Sequence, residues 1–280
     1  MQRFCKIWLL CSLLLLSACS STTFIYNRLD FILPWYLDDY AQLNSEQDIY
    51  LEELISPFLA WHRSEELPRY LLILEQIDSS LERQLGPDDV ADIAAQLEAA
   101  WYRLEGEALD WLLDLGAKLS DEQVQDFLEE LQEQQSEYEK KYLKRPEEDF
   151  REDSYDSLLD SMQDYLGRLD SKQRAVLREA SEGLMRSDLT WLTERAAWLQ
   201  RLGVMMQREP GWQQRIRDAS AAKNETVSAE YLRIYEHNTR LIYRAVADTL
   251  NSRSSKQDGR LRGKLDALRE DLQILIAQGA

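Results

Sequence analysis

The sequence predicts an all-α protein, a multi-helix bundle of roughly nine or ten helices. Three observations predict it. Apolar residues recur every three or four positions almost throughout, convincing runs of alternating β-branched residues are absent, and a helix-capping pattern recurs along the chain. Only 10 Gly and 6 Pro occur in 280 residues, so long helices meet few breakers. The helical reading runs from Asn27 to Ala277 without a low-complexity linker, which implies one helical domain over residues 26–280, either compact or elongated and two-lobed.

The first element is of another kind: residues 1–18 read as an export signal. Arg3 and Lys6 charge the start, and an apolar run follows from Ile7 to Leu16. Such a run is too short for a ~30 Å hydrocarbon core, which takes about 20 helical residues. A charged start, a short apolar core and small residues at the end describe a secretory signal. Leu16-Ser17-Ala18-Cys19 resembles the lipobox of bacterial lipoproteins. The resemblance implies cleavage before Cys19 once its thiol is acylated, and a mature N-terminus carrying three acyl chains. One chain holds a protein only marginally, at about 0.8 kcal/mol per buried methylene, so three make the anchor effectively permanent. Ser20 in the next position, where Asp would redirect sorting, implies the outer membrane with the body facing the periplasm. Residues 19–25 form a short tether, and at about 3.4 Å per extended residue the folded body begins within roughly 20 Å of the bilayer.

Cysteine and charge then exclude several function classes. Cys5 and Cys11 leave with the signal and Cys19 is consumed by lipid, so the expected mature body has no thiol. A disulfide framework, a Cys-ligated zinc site and a Cys nucleophile are thereby excluded. Stability has to come from a hydrophobic core, and the mature length is sufficient to bury one. The chain has 33 basic and 51 acidic residues, and loss of Arg3 and Lys6 takes the net charge from −18 to −20. That field repels phosphate backbones and anionic lipid heads, so nucleic acid is not an expected partner. Basic partners and divalent cations are permitted, although a solvated acidic surface is the commoner reason for such charge.

The helices follow in order. Tyr70, Leu74, Ile77 and Leu81 trace one apolar face; Val90, Ile93, Leu97, Trp101, Leu104, Ala108 and Trp111 trace a second; Val124, Phe127, Leu128, Leu131, Tyr138 and Tyr142 a third. Pro87, Pro146 and Pro210 fall where new helices begin, the position that tolerates Pro best. Pro57 lies inside a helical run and is expected to kink or break it. Leu43-Asn44-Ser45-Glu46-Gln47, Leu119-Ser120-Asp121-Glu122-Gln123 and Leu169-Asp170-Ser171-Lys172-Gln173 share Leu, a cap residue, two polar residues and Gln. Each reads as a capping box, the cap side chain accepting from the N3 amide and the N3 Gln reaching back, with the Leu as a staple. Leu85-Gly86-Pro87-Asp88-Asp89 is a degenerate fourth copy.

These islands are similar to the Leu-Thr-x-x-Gln motif of small periplasmic stress chaperones, the Spy and CpxP group, although helix capping produces the same pattern unaided. A second resemblance covers more of the chain. Tyr26-Asn27-Arg28-Leu29-Asp30, Leu33-Pro34-Trp35-Tyr36-Leu37-Asp38-Asp39-Tyr40, Ala60-Trp61-His62-Arg63 and Glu66-Leu67-Pro68-Arg69-Tyr70 resemble an uncharacterised family of Gram-negative lipoproteins. That resemblance implies an envelope protein with an all-helical fold and brings no known activity or catalytic residue.

The block from Tyr26 to Tyr70 is the candidate binding surface. Trp35, Tyr36, Tyr40, Trp61 and Tyr70 are expected to supply an aromatic floor, with Arg28, Asp30, Asp38, Asp39, His62, Arg63 and Arg69 as an ion-pair network above it. Either the block is a docking surface near the membrane, or it locks two N-terminal helices to the core through aromatics and paired charges. His62 and His237 are the two histidines, and neither sits in an HExxH motif, so no metal or other cofactor is expected. Acid–base work by His62 with Asp38 or Asp39 would need a contact between them. No GxSxG, GxxxxGK[ST] or GxGxxG segment is present. Residues 230–270 are relatively basic, with Arg233, Arg240, Arg244, Arg253, Arg260, Arg262, Lys264 and Arg269. They are expected to pair within the bundle with the acidic 121–160 region and cover Tyr138 and Tyr142, or else to join two copies in a homodimer.

Together these readings describe a lipoprotein held in the bilayer by Cys19, acting through an envelope protein partner without catalysis. A periplasmic chaperone or stress adaptor, and a hydrolase near Asp38, Asp39 and His62, are the alternatives.

Overall fold

A computed structural model describes residues 21–38 and 40–279. The signal segment, Cys19, Ser20 and Asp39 lie outside the described residues. Among the described residues the secondary structure is entirely helical, with no strand. Two short helices, α1 (Ser21–Tyr26) and α2 (Leu29–Asp38), lead into α3 (Ser45–Trp61). A π-helical turn (His62–Glu66) joins α3 to α4 (Leu67–Leu81) as one continuous rod. There follow α5 (Pro87–Gly116), α6 (Asp121–Tyr142), α7 (Glu147–Leu166), α8 (Ser171–Gly183), α9 (Asp188–Met205), α10 (Trp212–Ala221), α11 (Ala229–Asn251) and α12 (Ser255–Ala277). No described helix is long and apolar enough to cross a membrane.

Three apolar clusters hold these helices. The largest gathers Leu67, Leu74 and Leu81 of α4 with Tyr155, Met162 and Leu166 of α7, Leu177 of α8, and Leu261, Leu265, Leu272 and Leu275 of α12. The seven-residue spacing of the α4 leucines is two turns, which puts them on one face. Each such side chain contributes roughly 1.5–3 kcal/mol by leaving water. A second cluster joins Leu113, Val124, Met205, Met206 and Ile216 from α5, α6, α9 and α10. In the third, Leu51 and Ile55 of α3 meet Leu115 of α5, with Leu33 and Leu37 of α2 packed against them. Helix α5 has 30 residues, about 45 Å at 1.5 Å per residue. It meets the first cluster at Val90, the second at Leu113 and the third at Leu115, so it is the strut shared by all three.

Proline behaves as its position dictates, with one correction. Pro87 opens α5, Pro146 caps α7, and Pro210 precedes the Gly211 cap of α10. Pro57 neither ends nor visibly interrupts α3, which runs on to Trp61. The disturbance lies five residues further on, where the Leu67 amide donates to the His62 carbonyl across a widened turn. Pro68 is the nearer cause: it has no amide to give the preceding turn, and its ring crowds the carbonyl four residues back. A π-turn relieves both constraints without breaking the rod.

The capping boxes do more than start helices. Asn44/Gln47, Ser120/Gln123 and Asp170/Gln173 all form the reciprocal box. A further one, Ser254/Gln257 on α12, lacks the preceding Leu. Their glutamines meet in pairs. Gln47 and Gln123 exchange amide hydrogen bonds at 2.9 and 2.8 Å, while Gln173 and Gln257 do so at 3.1 and 2.9 Å. Each amide also reaches the chain entering its partner's helix: Gln47 donates to Lys118, Gln123 to Gln42, Gln257 to Arg168 and Gln173 to Ser252. Two pairs of helix starts are thus latched back to back, α3 with α6 and α8 with α12. The start of α5 is latched differently: Asp89 accepts from the Gly86 amide, and Leu85 exchanges backbone bonds with the Asn251 side chain at 2.8 and 2.9 Å.

Candidate functional site

The N-terminal block is organised around His62, the first residue of the π-turn. Tyr26 on α1 hydrogen-bonds Nδ1 at 2.8 Å, and Tyr70 on α4 reaches Nε2 at 3.3 Å. A neutral imidazole has one N–H and one lone pair, so one phenol donates to the ring and the other accepts from it. The Tyr26 ring stacks on His62 at 5.6 Å between centroids, and Phe58, Trp61 and Tyr70 surround it. Burial disfavours the imidazolium and lowers the His62 pKa, more than the Glu66 carboxylate raises it. Burial likewise raises the phenols of Tyr26 and Tyr70.

One turn on, Glu66 is wholly buried, with 0 % of its side chain exposed. Arg103 of α5 grips it through both oxygens, Nε to Oε1 at 2.7 Å and Nη2 to Oε2 at 2.8 Å, and Arg69 adds a third bond. The Arg103 bonds hold the Glu66 carboxyl below the usual carboxylate range despite its burial. This bidentate pair ties the π-turn to the strut α5. Arg63 lies 5.2 Å over the Tyr26 ring and donates to Asn27 at 3.0 Å, while Asn27 donates to Gln278. Thr23 donates to Asp271 on α12 at 2.9 Å. Helix α1 is therefore fastened to the π-turn on one side and to the C-terminal helix on the other.

The structure divides the block that the sequence presented as a unit. Trp61, His62, Arg63 and Arg69 belong to the π-turn neighbourhood. Tyr36 instead pairs with Tyr40, which packs on Phe127 of α6. Trp35 joins neither group and is 67 % exposed. The expected ion-pair network is not what Arg28, Asp30 and Asp38 make. Arg28 lies over Phe24, Asp30 accepts from the neighbouring Phe31 amide, and Asp38 is exposed at the end of α2. Both ring nitrogens of His62 are bonded to phenols, not to Asp38. Asp39 lies outside the described residues.

Two residues escaped sequence reasoning, Glu66 and Arg103. A signal for the first existed: an acid directly before Leu67-Pro68, in a turn that Pro68 widens. Nothing marks Arg103, since only packing brings α5 beside the π-turn. The C-terminal expectation is also redirected. Tyr138 and Tyr142 are covered by Trp191 and Arg195 of α9. Two basic residues of α12 turn to α4, Arg262 pairing with Glu82 at 2.9 Å and Arg269 with Asp78, while Lys264 lies over Tyr165 of α7. Arg253 donates to the Leu81 carbonyl at 2.6 Å and pairs with Asp258. Two clefts, of about 470 and 420 Å³, lie between α6 and α9 and between α5 and the α10 end; His62 lines neither.

Fold and site together define a class: a protein all-helical among the described residues, whose first described helix is fastened to a partly buried aromatic–histidine cluster beside a buried carboxylate. The chain belongs to a family of unknown function, DUF6279, whose model matches residues 39–232. The match includes the π-turn, Glu66 and Arg103, and begins after the Tyr26–Asp38 segment. No curated protein matches the chain, and neither does any solved structure.

Proposed function

We propose that this chain is an envelope lipoprotein, held by acylated Cys19 on the periplasmic face of the outer membrane, that works as a non-catalytic binding or scaffolding body. One observation carries the non-catalytic part: His62 and Glu66 are both committed to neighbouring side chains. His62 is held between two phenols, and Glu66 is neutralised by two guanidinium groups. Groups so engaged fix α1 and the π-turn to the bundle, which supports a structural role for them over acid–base work at His62. The anchor rests on Leu16-Ser17-Ala18-Cys19 behind a short apolar run.

The test is crosslinking in living cells, comparing the wild-type anchor with Cys19→Ala. A scaffold yields a discrete partner with the wild type and loses it when Cys19→Ala frees the body from the membrane. Equal recovery from both forms would oppose the anchored reading.

A second reading is favoured by the exposed apolar residues Leu97, Trp101, Leu232 and Tyr235 on α5 and α11. Together with the Leu-cap-x-x-Gln islands they support a periplasmic chaperone or stress adaptor. It predicts that the purified protein suppresses aggregation of unfolded clients, and failure across several clients would count against it.

A further inference from the structure

We infer that the outward side of α1 and α2 is a membrane-docking surface, seated in the headgroup region of a zwitterionic bilayer; this rests on the anchored reading above. Each of the two short helices has one side committed to the protein. On α1, Tyr26 is buried in the main cluster and Thr23 bonds Asp271. On α2, Leu33 and Leu37 pack on α3, and Leu29 packs on the main cluster. The opposite sides carry large apolar groups in water: Phe24 at 60 %, Ile25 at 53 %, Phe31 at 72 % and Trp35 at 67 % exposure. Phe31 and Trp35 are one helical turn apart. Scattered exposed apolar residues are ordinary, but four within a dozen residues on two consecutive helices make a patch.

Position selects the occupant. Phe24 is the fifth residue after Cys19, and at about 3.4 Å per residue it cannot stand more than roughly 17 Å from the acylated thiol. A tether this short presents the patch to the bilayer at high effective concentration, before any protein partner can compete. The residue types suit an interface. Aromatic rings are favoured at headgroup level, and the Arg28 guanidinium, 4.9 Å above the Phe24 ring, can lay its stem on the apolar layer with its charge in the headgroups. A chain of net charge −18, with exposed Asp30 and Asp38 flanking the patch, is repelled by anionic lipid, which points to a zwitterionic surface. Docking would hold the body in one orientation, where the anchor alone leaves it free to swivel.

The experiment uses the full lipidated chain reconstituted in phosphatidylethanolamine/phosphatidylcholine vesicles. Cys19 is the one thiol site in the expected mature chain and is acylated, so an added cysteine is uniquely labelled. Phe31→Cys, Trp35→Cys and, as a control, Asp126→Cys on the exposed face of α6 receive an environment-sensitive fluorophore. Lipids spin-labelled near the headgroup then serve as quenchers. Labels at 31 and 35 are expected to shift to the blue and to be quenched several-fold more than the label at 126. Water-like emission at 31 and 35 from vesicle-bound protein would overturn docking while leaving the anchor intact. A blue shift without lipid quenching would assign the patch to a second copy or another protein, and also overturns it. Mass spectrometry of the N-terminal peptide identifies the remaining case: an unacylated Cys19 removes the anchored reading and the docking inference with it.

Discussion

Replacing Gln173 by Met removes one half of a buried amide pair while nearly conserving volume. Gln173 is 1 % exposed, and four hydrogen bonds depend on it. Its oxygen accepts from the Asp170 amide at 3.0 Å and from Gln257 at 2.9 Å; its nitrogen donates to Gln257 at 3.1 Å and to Ser252 at 3.5 Å. After Gln173→Met the Asp170 amide has lost its acceptor. The Gln257 amide keeps Arg168 and the Ser254 amide as partners but loses its reciprocal contact. A buried polar group left unpaired costs about 1–3 kcal/mol. Asp170 is itself exposed, so its amide can turn to water, and the buried loss at the Gln257 amide predicts about 1–3 kcal/mol. Gln257→Met should cost a similar amount, and the double variant should cost less than the sum by about 1–2 kcal/mol, because the second change removes a group already deprived. Urea unfolding followed by far-ultraviolet circular dichroism measures all three. A single-variant loss below about 0.5 kcal/mol, or strict additivity in the double variant, would refute the latch. Gln123 is only half-buried, so water can replace its lost bonds and Gln123→Met should be milder.

Three further outcomes are expected. His62 has a folded-state pKa below its ordinary 6.5, so the unfolded chain binds the proton first as pH falls; stability should be full above about pH 6.5 and decline towards the lower folded pKa. Comparing urea midpoints between pH 5 and 8 with His62→Gln, which should flatten that component, checks this. Glu66→Gln leaves Arg103 without its carboxylate. Breaking a buried pair costs about 3–5 kcal/mol, but both arginines are partly exposed, so a loss of about 1–3 kcal/mol is expected from thermal unfolding. Gly167 closes α7 at φ +74° with the Arg260 side chain 3.2 Å from where a Cβ would stand. Gly167→Ala should cost about 1–3 kcal/mol, and a calorimetric midpoint equal to wild type would contradict it.

How much of this was legible beforehand varies with the range of the interaction. Helix faces such as Tyr70–Leu74–Ile77–Leu81 and the capping boxes at Asn44, Ser120 and Asp170 are local. Their period and spacing are written within one or two turns. The Ser254 box lies outside the Leu-cap-x-x-Gln pattern because Arg253 precedes it, whereas a cap needs only Ser and Gln. Pro57 leaves α3 intact and Pro68 widens the turn before it, since a proline's effect depends on whether the preceding turn can widen. The aromatic block was legible as a concentration of residues but not as an arrangement. Sequence order does not show that α1 stacks on His62, that Tyr40 turns to α6, or that Trp35 is left outside.

By itself the sequence determined the all-α class, about half of the helix starts and the acidic charge balance. These follow from periodicity, capping chemistry and composition, which act over a few residues or over the whole chain at once. The tertiary structure alone decided that four glutamines at separate helix starts would meet as two amide pairs. It also brought Arg103 to Glu66, turned Arg262 and Arg269 of α12 towards α4, and left Phe31 and Trp35 facing water. Those outcomes depend on contacts between residues tens of positions apart. Only the combined burial of three apolar clusters along α5 selects such contacts, and no short stretch of chain encodes them.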